Sequence, residues 1–574
     1  MKEYMKKYEE WLASDYIEAE DKKELEAIRD DEKEIEERFY QDLEFGTGGL
    51  RGIRGMGTNR INEYVIRKAT QGLINYMLKN DEKAKEKGIV IAYDSRIKSY
   101  EFALNTALVA AGNGVKAYLF ESLRPTPMLS FAVRELGALS GVVVTASHNP
   151  SEYNGYKAYW EDGAQVTAPH DVLIIEEVKK MTDLSQVKIA TEEEAKKNGL
   201  LTIIGKEIDD KFIAELKKLA IKPNIVKEVA DKLKVVYTPL NGTGNVPVQR
   251  ILKDIGLKNL YVVKEQEMPD GNFTTVGYPN PEDPKVFKLG IKLAEEVGAK
   301  IIMANDPDAD RIGISIKSKT GEWIYPNGNQ VGILLSEYIL SNMKKIPENG
   351  VIISTVVSTP MLDKVAKAYG VEVIRTLTGF KFIGEKIKEF KEGKYDKEFI
   401  FGFEESYGYL RGTHSRDKDA IVATMLITEM VAYFESIGTT VEEQIEKMYE
   451  KYGYYKEGIK AVTMQGKEGA EKIVSIMKNL RENSPKEILG KKVRILNDFL
   501  LQKEKNLIDG TEKELILPKS NVLQFILEDD TYITARPSGT EPKIKFYFGV
   551  NADTKAGVEE KLSSAMEDFL KIVM

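Results

Sequence analysis

The sequence predicts an α/β protein: three consecutive α/β domains followed by a smaller C-terminal α+β domain. Three observations lead there. Short β-rich runs alternate with helical stretches from residue 88 to about 455. Polar loops of unusual composition follow several of those runs. The 574 residues leave room for about four domains at roughly 150 residues each.

Taken in order, residues 1 to about 40 are nearly all charge with periodic apolar punctuation. Met5, Tyr8 and Leu12 share helical spacing, as do Ile35 and Phe39, which predicts two helices packed on the outside of the first domain. The run GIVIAYDSR (88–96) reads as a strand. The helix after it carries Phe102, Leu108 and Val109. KAYLFES (116–122), a helix around Met128 to Leu136, and SGVVVTAS (140–147) continue the alternation. It returns at 233–240, 259–265 and 300–306, and again at 350–358, 371–376 and 398–406. In the tail, strands at GIKAVTM, KKVRILN, VLQFILED and IKFYFGV mix with helices at Glu468–Arg481 and Ala556–Val573. The expected domains are 1–205, 206–325, 326–455 and 456–574.

Composition excludes several classes. Hydrophobic residues at 42% and charged residues at 30% rule out a disordered or collagen-like chain. A net charge of −8 supplies no global field for nucleic acid or anionic membrane, so an anionic substrate would need local arginines and lysines. The absence of cysteine excludes disulfides and thiolate metal sites and suits a reducing compartment. The N-terminus lacks an apolar signal-peptide core. The most apolar stretch, Ala420 to Phe434, is too short to span a bilayer and carries Glu429. Sequons at Asn241 and Asn272 then read as chance matches. The expectation is a cytoplasmic protein with no nucleic-acid or membrane partner; nothing in the sequence indicates an oligomeric state.

Ligands of open α/β sheets collect at the carboxyl ends of the strands, and four loops stand out there or in equivalent places. Thr145-Ala146-Ser147-His148-Asn149-Pro150 offers a serine nucleophile beside a histidine, and Asn154-Gly155-Tyr156-Lys157 returns a lysine towards it. A polar turn with an internal hydroxyl–backbone bond is the plainer alternative. Asp306-Pro307-Asp308-Ala309-Asp310-Arg311 places three carboxylates at alternate positions, suited to one hard divalent cation, with Arg311 as a phosphate fork; a solvated acidic turn is the alternative, which the strand-end placement disfavours. It is not an EF-hand, since Arg311 and Lys317 stand where that loop needs Gly and Glu. Gly402-Phe403-Glu404-Glu405-Ser406-Tyr407-Gly408 could grip vicinal sugar hydroxyls or be a surface turn. Arg536-Pro537-Ser538-Gly539-Thr540-Glu541-Pro542-Lys543 has the composition of a phosphate cradle. Further cations in glycine-rich settings are Arg51, in GTGGLRG, and Lys381, in Thr378-Gly379-Phe380-Lys381.

TASHNP, DPDADR, GFEESYG and RPSGTEPK in this order resemble the α-D-phosphohexomutase superfamily, from about Phe45 to Lys545. GTGGLRG and NGYKAYWEDGAQ look most like its phosphoglucomutase-2 branch, which includes phosphopentomutases. The resemblance implies three α/β domains with mixed sheets and a mobile fourth around a central cleft. It implies Ser147 as the phosphate carrier, with Mg²⁺ held by Asp306, Asp308, Asp310 and that phosphoserine. His148, Lys157 and Arg51 would surround the phosphoserine, and Lys418 would be the catalytic lysine. Arg311, Thr378, Gly379, Lys381, Glu404 and Ser406 would contact substrate, and Arg536, Ser538, Gly539 and Thr540 the non-reacting phosphate.

The implied reaction interconverts glucose 1-phosphate and glucose 6-phosphate, with glucose 1,6-bisphosphate as intermediate and activator. Mannose and pentose phosphates are the alternatives on the same scaffold. Two rival classes meet obstacles. An aspartate-nucleophile phosphatase expects Thr or Val where Asp310 stands, and a non-catalytic sugar-phosphate sensor should have lost the nucleophile or a metal ligand.

Overall fold

The structure, a computed structural model, describes residues 2–46, 48–464, 466–538 and 543–573. The chain divides into two compact units. The first comprises Met1–Asn327, Phe380–Gly402 and Ser406–Gly438, and the second Gly328–Gly379, Phe403–Glu405 and Thr439–Met574.

The first unit opens with three helices rather than the two expected: Glu3–Ala13, Ala19–Ala27 and Glu32–Phe39. The middle one escapes a periodicity search because it buries only Leu25. Tyr8, Leu25, Ile35 and Phe39 cluster with Met56 and Tyr64, so the helices do pack onto the first α/β layer.

That layer is a six-stranded mixed sheet in the order Gly49–Ile53, Tyr153–Trp160, Ser140–Val144, Ile89–Tyr93, Ala117–Phe120, Leu201–Ile204. The strand Ile89–Tyr93 is buried throughout and pairs in parallel on both sides, which explains its unbroken apolar run. Gly49–Ile53, Tyr153–Trp160 and Leu201–Ile204 fall outside the strands that the sequence predicts. Gly49–Ile53 and Tyr153–Trp160 are rich in Gly and polar residues, and their strand character comes from antiparallel pairing, Leu50 against Tyr156 and Val143 against Lys157. This pairing is what carries Lys157 back towards the Ser147 loop.

A second mixed sheet follows, ordered Trp323–Ile324, Ile312–Lys317, Ile301–Asn305, Lys234–Thr238, Asn259–Val262. Ile301–Asn305 runs parallel to Lys234–Thr238, is wholly buried, and delivers the aspartate loop at its carboxyl end. The helix Ala420–Ser436 also belongs to this unit and is buried along most of its length, which accounts for its apolar sequence. Among the described residues, no single helix is long and apolar enough to cross a membrane.

In the second unit Gly350–Thr355 pairs in parallel with Glu372–Thr376. Beyond them an antiparallel sheet runs Tyr454–Thr463, Lys543–Ala552, Tyr532–Pro537, Leu523–Leu527, Lys491–Asp498, Lys503–Asn506, Glu512–Glu514. The helices Gly466–Glu482 and Lys555–Val573 cover it, closing a core around Phe525, Phe546, Phe548 and Phe569. This is the smaller α+β region that the tail predicted.

Glu429, the buried carboxylate of the apolar helix, accepts the backbone N–H groups of Ile221 and Lys222 at 2.8 and 2.9 Å. Removing it strands two partly buried donors. Glu429→Ala is expected to lower unfolding free energy by about 1–3 kcal/mol in denaturant titrations. A loss below about 0.5 kcal/mol would mean that water satisfies those amides.

Candidate active site

Ser147 follows the buried strand Ser140–Val144 and adopts left-handed backbone, φ 52°. A non-glycine residue holds that conformation only where its surroundings fix it. Here they do. The Thr145 hydroxyl accepts the Ser147 N–H at 2.8 Å and donates to Asp94 at 2.7 Å. Asp94 also takes the Ser99 hydroxyl and the Arg96 N–H. The buried Arg96 guanidinium donates to the carbonyls of Ser147 (2.7 Å), Asn149, Pro150 (2.8 Å) and Tyr153 (3.0 Å). One side chain therefore ties the whole loop. Its fork geometry is what an ammonium could not reproduce.

The Ser147 hydroxyl donates to Asp306 Oδ2 at 3.0 Å and lies 3.2 Å from His148 Nδ1. Burial first, then Arg311 and Arg51, pushes the His148 pKa down to about 2, so the ring is neutral. Tyr278 meets it edge-on, ring centroids 6.0 Å apart.

Asp306, Asp308 and Asp310 are all buried, and one oxygen from each lies within 4.8 Å of the other two. Burial, then Asp308 and Asp310, raises the Asp306 carboxyl well above its ordinary range. At Asp310 burial again disfavours charge, but Lys418, Lys157 and Arg311 outweigh it and hold the carboxyl below that range. The Asp306 Oδ1 atom accepts the N–H groups of Asp310 and Arg311, which curls the loop. Asp308 Oδ1 and Asp310 Oδ1 are buried and accept no hydrogen bond among the described residues. Convergent carboxylates with orphaned oxygens are the donor set a hard divalent cation takes.

Two lysines flank the triad. Lys157 Nζ lies 2.8 Å from Asp308 and 3.4 Å from Asp310. Burial works against its charge, yet Asp308 and Asp310 prevail and raise its pKa. Lys418 Nζ lies 3.2 Å from Asp310 and 3.0 Å from Asp417, whose other oxygen accepts the Tyr159 hydroxyl. Arg51, solvent-accessible, donates to Asn149 Oδ1, and Arg311 pairs with Glu282 at 3.0 Å. The first unit thus gathers Ser147, His148, Lys157, the triad and Lys418 into one hydrogen-bonded cluster, with Arg51 and Arg311 beside it.

Other expected site residues lie elsewhere. In the second unit the Gly379 N–H donates to the buried Glu404 carboxylate at 2.7 Å, from a backbone φ of 116° at Gly379, with Thr378 just before it. Glu405 is held instead by the hydroxyls of Thr355 and Ser358. Arg536 is exposed near the end of its strand, and the Ser538 N–H bonds the Lys543 carbonyl. Gly539 and Thr540 lie outside the described residues. Lys381, 3.9 Å from Asp171, and Ser406 belong to the first unit. Residue-type reasoning passed over Asp94, Arg96, Thr126, Tyr159 and Asp417. Asp94 and Arg96 had a visible signal: they end a buried strand, the same position that singled out the other loops.

A strand-end serine against three convergent aspartates and two lysines, on tandem mixed sheets, defines a phosphotransferase of the α/β class. The chain belongs to the phosphoglucomutase/phosphomannomutase family. The family's alpha/beta/alpha domain I matches residues 42–185, domain II 210–320 and domain III 327–452. A phosphoglucomutase of Staphylococcus saprophyticus is 36% identical over 522 residues, covering 91% of this chain and 93% of that one. One from Staphylococcus haemolyticus is 34% identical over 528 residues, covering 92% and 94%. Among solved structures, parafusin, a phosphoglucomutase of Paramecium, superposes with a TM-score of 0.68 at 18% identity, covering 93% of this chain and 94% of that one. A phosphoglucomutase/phosphomannomutase family protein of Burkholderia thailandensis gives 0.63 at 19% identity, covering 92% and 96%. These two likenesses show the fold.

Arg96→Met would leave the buried Asp94 without the guanidinium 3.3 Å away and free four loop carbonyls. It is expected to cost about 3–5 kcal/mol of stability. A denaturation midpoint close to that of the unmodified protein would show that the loop holds itself.

Proposed function

We propose that this protein is a phosphoglucomutase, interconverting glucose 1-phosphate and glucose 6-phosphate through a phosphorylated Ser147. The observation that carries this reading is the Ser147 hydroxyl 3.0 Å from the first of three convergent buried aspartates. A hydroxyl in such a place is useless as a base and well suited to carry a phosphoryl group whose charge the site must balance.

In the forward half-reaction the phospho-Ser147 O–P bond breaks as an O–P bond forms to the free 1- or 6-hydroxyl of a hexose monophosphate. Glucose 1,6-bisphosphate results, and Ser147 is left as the alcohol. After the intermediate turns end for end, its other phosphoryl group returns to Ser147. Lys418 is proposed to exchange the proton with the sugar hydroxyl; Asp310 and Asp417, at 3.2 and 3.0 Å, stabilise it once protonated. Neutral His148 accepts or donates one hydrogen bond at Ser147 without adding charge. Lys157, Arg51 and Arg311 are proposed to meet the phosphoryl oxygens.

Asp306, Asp308 and Asp310, with phospho-Ser147, are proposed to hold Mg²⁺. When bound, it neutralises charge on the phosphoryl group and withdraws electrons from it. Glu404 and Ser406, with Thr378, Gly379 and Lys381, are proposed to contact the sugar. Arg536, Ser538, Gly539 and Thr540 are proposed to hold the phosphate that does not react. Glucose 1,6-bisphosphate would also activate the enzyme by rephosphorylating Ser147. Mannose or pentose phosphate is the alternative substrate; phosphomannomutases belong to the same family.

Specificity constants for glucose-, mannose- and ribose-1-phosphate, measured with glucose 1,6-bisphosphate present, separate these readings. Glucose 1-phosphate is expected to lead, and a preference for either rival would replace the substrate while keeping the chemistry. Ser147→Ala, one small buried hydroxyl, should fold normally and lose turnover to background. Undiminished turnover by that variant, purified free of host mutase, would overturn the serine's role.

Thorough chelation is expected to abolish activity, with Mg²⁺ restoring it, because three like charges this close repel one another without a cation. Activity indifferent to chelation would contradict the role given to the triad.

A further inference from the structure

The second unit contains a cleft of about 300 Å³, part of it continuous with solvent, that the proposed reaction does not use. Its wall is formed by Ile333, Leu334, Met361, Ile445 and Met448, with Tyr449 and Tyr455 at the polar side. At that side stands Glu457, on the strand Tyr454–Thr463. Its Oε1 is buried and has no hydrogen-bond partner among the described residues.

A carboxylate placed so is short of a cation. Among the described residues, no lysine, arginine or histidine lines the cleft. Arg375 acts on Glu457 from a distance, and it is already engaged by Asp363 at 2.7 Å and by the carbonyls of Thr355, Ser358 and Thr359. The other groups that face the carboxyl are uncharged: the Thr359 and Asn329 side chains, whose hydrogen-bonding favours its ionised form, and Tyr449 and Tyr532. Asn329 Oδ1 is occupied by the Thr359 N–H, at 3.0 Å. Burial raises the Glu457 carboxyl to about 7, so near neutrality it exchanges a proton freely.

We infer that this cleft is a binding site for a small primary amine with an apolar body, its ammonium group paired with Glu457 and its hydrocarbon against Ile333, Leu334 and Met361. Charge complementarity selects the ammonium, since an anion or a second carboxylate would meet Glu457 with no cation to relieve it. Because the cleft is partly open to solvent, the body of the amine would lie along the apolar wall rather than be enclosed by it. This inference stands apart from the mutase reading, because every residue it uses lies outside the Ser147 cluster.

Benzylamine and its neutral isostere benzyl alcohol serve as probes, titrated into the full-length protein by calorimetry at pH 6 and pH 8. Benzylamine is expected to bind about tenfold more tightly at pH 8, where Glu457 is mostly ionised and the amine still protonated. Benzyl alcohol should bind at least tenfold more weakly than the amine at pH 8 and show no such pH dependence. Glu457→Gln should abolish the difference between the two probes. Equal binding of amine and alcohol to the unmodified protein, or no binding of the amine at either pH, would overturn the inference whether or not the variant folds. Mutase turnover does not enter the readout, so failure here leaves the proposed function untouched.

Discussion

Asp306, Asp308 and Asp310 bring three ligand oxygens within 4.8 Å of one another inside the protein, and much of the first unit is organised by the electrostatic cost of doing so. Burial disfavours charge at Asp306 and Asp310, and at Asp306 the two neighbouring carboxylates disfavour it further. The compensation comes from several separate segments: backbone amides of the aspartate loop, the Thr126 hydroxyl at 2.9 Å, Lys157 from an antiparallel strand, and Lys418 from the segment before an apolar helix. None of these segments is adjacent to another in sequence. The sheet pairings exist in the places they do, and the loops end where they do, in a way that lets those groups meet one cluster of negative charge.

Opposite that cluster the Ser147 loop has a different requirement, which is rigidity. In the proposed reaction, a phosphate carrier that wandered by an ångström would lose alignment with both the triad and an incoming hydroxyl. Arg96 and Asp94 answer this from a neighbouring strand end. Arg96 binds four carbonyls of the loop, Asp94 orders the Thr145 hydroxyl, and Thr145 in turn fixes the Ser147 amide. The left-handed turn at Ser147 is the local strain that this network holds in place. Charge balance and loop rigidity are thus supplied by different residues, so they can be disturbed separately.

Much of this was legible in the sequence because buried parallel strands and strand-end loops leave strong local signals. IVIAY, SGVVV and IIMAN are nearly unbroken apolar runs, and the aspartates at alternate positions directly after IIMAN favour a cation site over a solvated acidic turn because they stand at a strand end. What stayed hidden depends on long-range pairing. Gly49–Ile53 and Tyr153–Trp160 carry glycines and polar residues, and only their pairing makes them strands. The helix Ala19–Ala27 buries a single leucine, too little for periodicity to register. Arg96 and Asp417 act on partners 51 and 107 or more positions away (Ser147 and Asp310 by way of Lys418), which no local pattern encodes. The roles of Glu404, Arg536 and the rest of the second unit's set came from resemblance, since their residue types fit a surface turn as well as a sugar contact.

The central claim, that Ser147 carries a phosphoryl group between sugars, is tested most directly by intact-protein mass combined with peptide mapping. After incubation with glucose 1,6-bisphosphate and removal of small molecules, the account predicts one phosphate per chain, located on Ser147. That phosphate should leave the protein when glucose 6-phosphate is added in excess and appear on the sugar. A protein that acquires no phosphate under these conditions, or carries it stably on another residue, would contradict the account.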